Sequence, residues 1–144
     1  MGVSSEDKIL DLGAGTGRND SPMISYLSEK GRLIAVDISG EMITQLRARF
    51  ARSGAVHIVK ARVDRPLPLK ERFDKVFISF VLHGFPQESR EIVIENAYAL
   101  LRGGGSFFIL DSLKSQILGN MCYYPLSDIH ILPGDCSRGA SFCR

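Results

Sequence analysis

No stretch of this chain is apolar for long enough to cross a bilayer. The longest apolar run, Val76 to Leu82, is broken by Ser79, whereas a spanning helix needs about 20 such residues. A charged-then-apolar leader is also missing from the first residues, so the sequence predicts a cytoplasmic protein with no membrane span. Charge of one sign is lacking too. Eighteen Lys and Arg are scattered among sixteen Asp and Glu, leaving a formal charge of +2, and no basic stretch announces a nucleic-acid partner. Cysteine is scarce: Cys122, Cys136 and Cys143 are odd in number and have no CxxC spacing. Reduced thiols are expected, and no metal site.

What remains is the balance of one globular domain, 144 residues with 44% hydrophobic and 24% charged. Chain size allows a single sheet covered on both faces but no second core. Lys8 to Leu12 is a short apolar run that ends in Gly13-Ala14-Gly15-Thr16-Gly17, the pattern of a buried strand entering a tight turn. Asp20-Ser21-Pro22 then offers a cap for a helix carrying Met23, Ile24 and Leu27, with Gly31 as its stop. A strand over Arg32 to Val36 follows, then a helix capped by Ser39 with Met42, Ile43, Leu46 and Phe50 on one stripe. The next strand is Val56 to Val59, and after Pro66-Leu67-Pro68 comes another, Lys75 to Phe80. Gln87 to Leu101 reads as a helix turning Ile92, Val93, Asn96, Ala97 and Leu100 inward, and Gly103-Gly104-Gly105 leads into a strand over Ser106 to Leu110. Beyond Asp111 the rhythm stops: Ser112 to Tyr124 has no clean period, and Ser127 to Leu132 is a candidate for one more short strand. Alternating strands and helices with short connections specify parallel strands joined by right-handed crossovers. Ligands in such folds sit beyond the carboxyl ends of the strands.

Three glycines at alternate positions in a strand-to-helix turn are more than the turn itself needs, so this is the expected nucleotide-cofactor site. A dinucleotide fingerprint would place glycine at position 18, where the chain has Arg18. Asp11, just ahead of the turn, is a poor neighbour for a pyrophosphate but suits a ligand carrying an ammonium and a sulfonium. Asp37 closes the second strand, twenty residues beyond Gly17, where a carboxylate can accept from both hydroxyls of a ribose. Ile38 then offers an apolar surface to an adenine.

Lys8 to Arg18, Val36-Asp37-Ile38-Ser39 with Met42, Phe73 to Phe85, and Leu101-Arg102-Gly103-Gly104-Gly105 together resemble class I S-adenosylmethionine-dependent methyltransferases. The resemblance spans roughly residues 7–111 and is nearest to the small-molecule branch that includes quinone and other metabolite methylases. It implies a three-layer, Rossmann-like α/β fold with a mostly parallel twisted sheet and helices on both faces. Residues 1–111 would form the S-adenosylmethionine-binding core, and 112–144 an irregular tail of the same domain. By the same resemblance the cofactor-binding set is Asp11, Gly13, Ala14, Gly15, Gly17, Asp37, Ile38, Met42, Val63, Asp64 and Ser79. Asp11 would take the methionine amino group, Asp37 the ribose, and Asp64 the adenine amino group if the register slips by one residue. Family members usually begin with lid helices and end with an antiparallel strand pair, and neither is recognisable here, so the last strands are expected to be missing.

Methyl transfer is an in-line displacement at a carbon already activated by the sulfonium, so no nucleophile motif is required. A general base is useful only when the acceptor must lose a proton. His83 is the candidate, because Ser79-Phe80-Val81-Leu82-His83-Gly84 leaves a strand at its carboxyl end and imidazole changes charge near neutral pH. The competing reading is a histidine that packs on the cofactor or bonds a loop carbonyl. His57, His130, Tyr123 and Tyr124 have less claim. The expected activity is methyl transfer from S-adenosylmethionine, with S-adenosylhomocysteine as product, to a small-molecule acceptor. A non-catalytic cofactor-binding or partner subunit and an NAD-dependent dehydrogenase are the alternatives. An unpaired sheet edge points either to a homodimer or to a charged, solvated edge.

Overall fold

The first apolar run is hydrophobic on both faces because it becomes the middle of a sheet. The computed structural model describes residues 2–111 and the backbone of 129–133; Cys122, Tyr123, Tyr124, Cys136 and Cys143 lie outside the described residues. In chain order the elements are β1 (Lys8–Leu12), α1 (Asp20–Ile24), β2 (Arg32–Asp37), α2 (Gly40–Arg49), β3 (Val56–Lys60), β4 (Phe73–Ser79), a 3-10 turn (Leu82–Gly84), α3 (Gln87–Leu100), β5 (Leu101–Asp111) and β6 (Ile129–Pro133). The sheet order is β3-β2-β1-β4-β5-β6, and every pairing is parallel. The chain winds outward from β1 through β2 to β3, then returns to β1's other side with β4. That reversal leaves a crevice at the carboxyl ends of β1 and β4, where Leu12 is level with both Val36 and Ile78.

Two-residue alternation divides the core. Leu10, Leu12, Val36, Val76, Ile78 and Ile109 face α3, whose Val93, Ile94 and Ala97 are buried against them. Ile9, Leu33, Ala35, Phe77 and Phe108 face the other way, onto Met23 of α1 and Ile43 and Leu46 of α2. By the same alternation Asp11 projects from the α1 and α2 face. The three-layer α/β architecture is therefore as expected.

Several local expectations change. The first helix stops at Ile24, well short of Gly31. Ser25 Oγ donates to the Pro22 carbonyl, and Tyr26 N–H reaches back only to Met23. Both Ser28 N–H and Ser28 Oγ then donate to the Ser5 carbonyl, drawing the chain out of helical geometry. In α3, Ile92 is 41% exposed and Ile94 takes the inward position, because the inward stripe runs through Val93, Ile94 and Ala97. Gly103-Gly104-Gly105 is not a turn before the fifth strand but an irregularity inside β5. Pairing jumps from Phe73 with Leu101 to Lys75 with Ser106, and Gly104 adopts φ +75° there. The short strand expected at Ser127 to Leu132 is present as Ile129–Pro133, parallel to β5; no antiparallel pair occurs among the described residues.

Candidate functional site

A crevice of about 390 Å³ opens at the reversal point, lined by Gly13, Asp37, Ile38, Ala61, Arg62, Val63, Asp64, Phe80, Val81 and Phe85. The sequence-predicted residues Gly13, Asp37, Ile38, Val63 and Asp64 thus meet in one place. Asp37 is 9% exposed; its Oδ2 accepts from Gly15 N–H and its Oδ1 from Ser39 N–H, each at 2.8 Å. Each oxygen keeps a lone pair for a further donor. Ser39 caps α2 as expected, accepting from Met42 N–H at 3.4 Å. That bond is Met42's part in the arrangement, since its residue is not in the crevice lining. Asp64 is gripped by Arg62 through two hydrogen bonds of 2.9 and 2.6 Å, and the guanidinium beside it lowers its carboxyl below the ordinary value.

The glycine turn is less bare than its sequence implies. Of the five N–H groups from Gly13 to Gly17, four are occupied internally. Gly13 and Ala14 both donate to the Val36 carbonyl, Gly17 to Ala14, and Gly15 to Asp37. The three glycines are also required for different reasons. All have positive φ, +79° at Gly13, +56° at Gly15 and +73° at Gly17. A Cβ on Gly13 would stand 2.4 Å from Val81 Cγ2, and one on Gly17 would stand 2.4 Å from Phe50 Cε2. A Cβ on Gly15 would meet nothing within 4 Å. Gly13 and Gly17 therefore admit neighbouring protein, and Gly15 alone leaves open space above the turn.

Asp11 is 1% exposed, and its Oδ1 has no hydrogen-bond partner among the described residues. Burial first, and then the neighbouring carboxylates of Asp20 and Asp37, raise its carboxyl well above the ordinary range. Asp20 was legible only as part of a helix cap. It is wholly buried at the start of α1, and burial raises its carboxyl as well.

The outer wall of the crevice comes from the segment after β4. Ser79 Oγ accepts from Asn19 Nδ2 at 2.8 Å, tying that segment to the far end of the glycine turn. Phe80 has φ +53°, a left-handed conformation that a bulky residue seldom adopts, and the residue is left 53% exposed. His83 lies beyond the lining, on the 3-10 turn. Its Nδ1 is 2.9 Å from Asp111 Oδ1, and its backbone N–H donates to Asp111 Oδ2 at 3.2 Å. The Asp111 side chain is 1% exposed and that of His83 51%. Sequence reasoning missed Asp111, Asp20, Phe80 and Phe85. Asp111 ends β5 as Asp37 ends β2, and an acid closing a parallel strand was the one available signal. No group of His, Cys, Asp and Glu suited to a metal occurs among the described residues.

Comparison with known proteins agrees with this geometry. The methyltransferase domain family matches residues 9–105. The ubiquinone/menaquinone biosynthesis C-methyltransferase UbiE of Vibrio cholerae is 30% identical over 136 residues, covering 92% of this chain and 51% of that protein. Its counterpart in Pectobacterium atrosepticum is 28% identical, with 92% and 53% covered. The chain thus spans about half the length of the curated relatives it matches. Among solved structures, a SAM dependent methyltransferase from Aquifex aeolicus superposes with a TM-score of 0.66 at 23% identity, over 76% of this chain and 58% of that one. Phosphoethanolamine N-methyltransferase 1 of Haemonchus contortus gives a TM-score of 0.71 at 19% identity, over 80% and 24%. By the extent of the domain match and the fold it shares with these proteins, the chain belongs to the class I S-adenosylmethionine-dependent methyltransferase family.

Proposed function

We propose that the crevice binds S-adenosylmethionine and that the chain serves methyl transfer to a small-molecule acceptor. The observation that carries this reading is the electrostatic character of the glycine turn. Four of its five N–H groups are spent on Val36, Ala14 and Asp37, so it presents no nest of donors for a phosphate. Carboxylates lie on it and under it instead, at Asp37 and Asp11. Such a surface repels a pyrophosphate and attracts an ammonium or sulfonium.

Within this reading Asp37 accepts the ribose hydroxyls, and Ile38 with Val63 flanks the adenine. Ala14 and Gly17 hold the turn's shape, Gly15 offers the open approach, and Ser79 keeps the outer wall against Asn19. When bound, the cofactor supplies a methyl group already activated for displacement, and the chain's part is to align the acceptor and exclude water. Exposed Phe80, with Phe85, supplies an apolar wall for that purpose. Asp111 accepts the hydrogen bond that His83 Nδ1–H donates, so the neutral ring carries its lone pair on Nε2, where it can accept a proton. His83 then serves as the general base for an acceptor whose hydroxyl or acidic C–H must be deprotonated.

Calorimetry with S-adenosylhomocysteine tests the cofactor site. Micromolar binding is expected, weakened at least tenfold by Asp37→Ala, about 1.4 kcal/mol. Binding of NAD in its place would refute the reading, and an unchanged affinity in Asp37→Ala would remove that residue from the site. Cofactor binding without turnover on any acceptor would identify a non-catalytic partner subunit. His83→Ala and Asp111→Asn are each expected to lower kcat while leaving S-adenosylhomocysteine affinity intact.

A further inference from the structure

Asp11 and Asp20 bracket the glycine turn, one two residues before Gly13 and the other three residues after Gly17. Their relative exposures are 1% and 0%. Three of their four carboxylate oxygens, Asp11 Oδ1 and both of Asp20, are wholly buried with no hydrogen-bond partner among the described residues. The two carboxyls lie close enough to perturb each other's proton affinity. Asp20 does not act as a cap, because it is the first residue of α1, the cap position is Asn19, and no side-chain cap bond is made there. The groups facing the pair are Asp37 from the end of β2, which adds negative charge, and Arg49 from the end of α2. Arg49 directs its Nε to the Thr16 carbonyl at 2.7 Å, so it compensates only from across the turn. Two dry carboxylates in contact cannot both be ionised without a cation between or beside them.

We propose, resting on the cofactor reading above, that Asp20 is a positioning residue for Asp11 and makes cofactor capture proton-linked. In the free protein the two carboxylates share one proton. When a cationic amino-acid cofactor settles on the glycine turn, that proton passes to solvent, and the ligand's ammonium replaces it as the positive charge beside Asp11. No covalent bond other than the O–H is broken, and no further reactant is needed. Capture is then selective for a ligand that brings a positive charge, since a neutral adenosine would leave the proton in place.

Calorimetry with S-adenosylhomocysteine in two buffers of different ionisation enthalpy counts the protons released, and infrared spectroscopy detects a protonated carboxyl in the free protein. The wild type is expected to show the carboxylic-acid band above the pH at which an ordinary carboxyl ionises, to lose it on binding, and to release up to one proton per ligand. Its affinity should rise by up to tenfold per pH unit over the range in which the pair holds its proton. In Asp20→Asn the amide donates to an ionised Asp11, so the band, the release and the pH slope should all disappear while binding persists. Asp20→Ala, with the same expected loss of release, replaces it if the Asn variant does not fold. A residue with a merely structural role would move thermal stability and leave the proton count alone. Absence of the band in the free protein, or proton release unchanged in Asp20→Asn, overturns the proposal. Failure of S-adenosylhomocysteine to bind the wild type would overturn the cofactor reading and the release step with it, whereas the band tests the shared proton by itself.

Discussion

Adding one methyl group at each glycine of the turn separates its structural work from its ligand-facing work. Gly13, Gly15 and Gly17 all have positive φ, so each alanine variant carries the left-handed penalty of about 1–2 kcal/mol. The unfolded chain loses freedom in every case, which returns about 0.4–1 kcal/mol. For Gly15→Ala nothing else changes, because the new Cβ has no neighbour within 4 Å, and the net cost is about 1 kcal/mol. In Gly17→Ala the Cβ lands 2.4 Å from Phe50 Cε2 and 2.7 Å from Leu46 Cδ2, adding an overpacking cost of about 1–3 kcal/mol. Gly13→Ala meets Val81 Cγ2 at 2.4 Å, and a β-branched neighbour with a stiff χ1 yields no more easily. Thermal unfolding should then fall by about 2–4 °C in Gly15→Ala, at about 2–4 °C per kcal/mol, and by two to four times as much in the other two. Binding should rank the other way per unit of stability lost. Gly15→Ala fills the open approach and is expected to weaken S-adenosylhomocysteine at least tenfold in a protein that remains folded. Wild-type affinity in Gly15→Ala, or destabilisation equal to that of Gly17→Ala, would refute this assignment of roles.

Phe80→Gly should be more stable than Phe80→Ala by about 1 kcal/mol in chemical denaturation, because only glycine relieves the left-handed backbone at φ +53°; the opposite order would mean that the strain is absent. Asn96→Ala removes two donors, to the Val63 and Arg65 carbonyls, and should cost about 1–2 kcal/mol while loosening the crevice wall enough to lower cofactor affinity. Phe73→Ala, at a fully buried position, should cost about 3–5 kcal/mol in the same assay. Asp11 and Asp20 bind protons more tightly when folded than at the ordinary value of 3.8. Their contribution to stability is therefore fully present below that value and is lost as pH rises through the raised folded values. Thermal melts at rising pH above that ordinary value should show the wild type falling relative to Asp20→Asn, and parallel curves would contradict the raised carboxyls.

The sheet was readable because its signals are local. Five strands and two long helices follow from apolar runs, a Ser39 cap and glycine punctuation, and all appear close to the expected bounds except β5, which starts at Leu101 rather than Ser106. Elements whose limits depend on distant partners were not readable. The first helix ends early because Ser28 is bonded to Ser5 across the chain, and no window around Leu27 contains that fact. Ile92 and Ile94 are equally apolar neighbours on α3, and the choice between them is made by where β4 and β5 lie. At the site, Asp37 could be found because a strand end next to a glycine turn is a local pattern. The pairing of His83 with Asp111 joins residues 28 apart, and that of Asp11 with Asp20 depends on α1 folding back over β1's end. Both are products of topology.

The glycine turn illustrates why a motif's letters and its chemistry must be separated. In a phosphate-binding turn the glycines matter because bare N–H groups converge on the ligand. Here the same residue type serves mainly to let protein in: Val81 against Gly13, and Phe50 with Leu46 against Gly17. The N–H groups that would have made an anion nest are turned onto Val36, Ala14 and Asp37. Once those donors are committed, the remaining charges at the turn are the buried acids Asp11, Asp20 and Asp37, with Arg49 on the Thr16 carbonyl, and three oxygens of Asp11 and Asp20 have no hydrogen-bond partner among the described residues. A buried negative surplus is stable only if protonated or met by a cation. On the proposed reading, selectivity for a positively charged cofactor comes from acids set around a closed turn, and converting Asp11 and Asp20 together to Asn should abolish it, leaving S-adenosylhomocysteine no better bound than adenosine in the same titration.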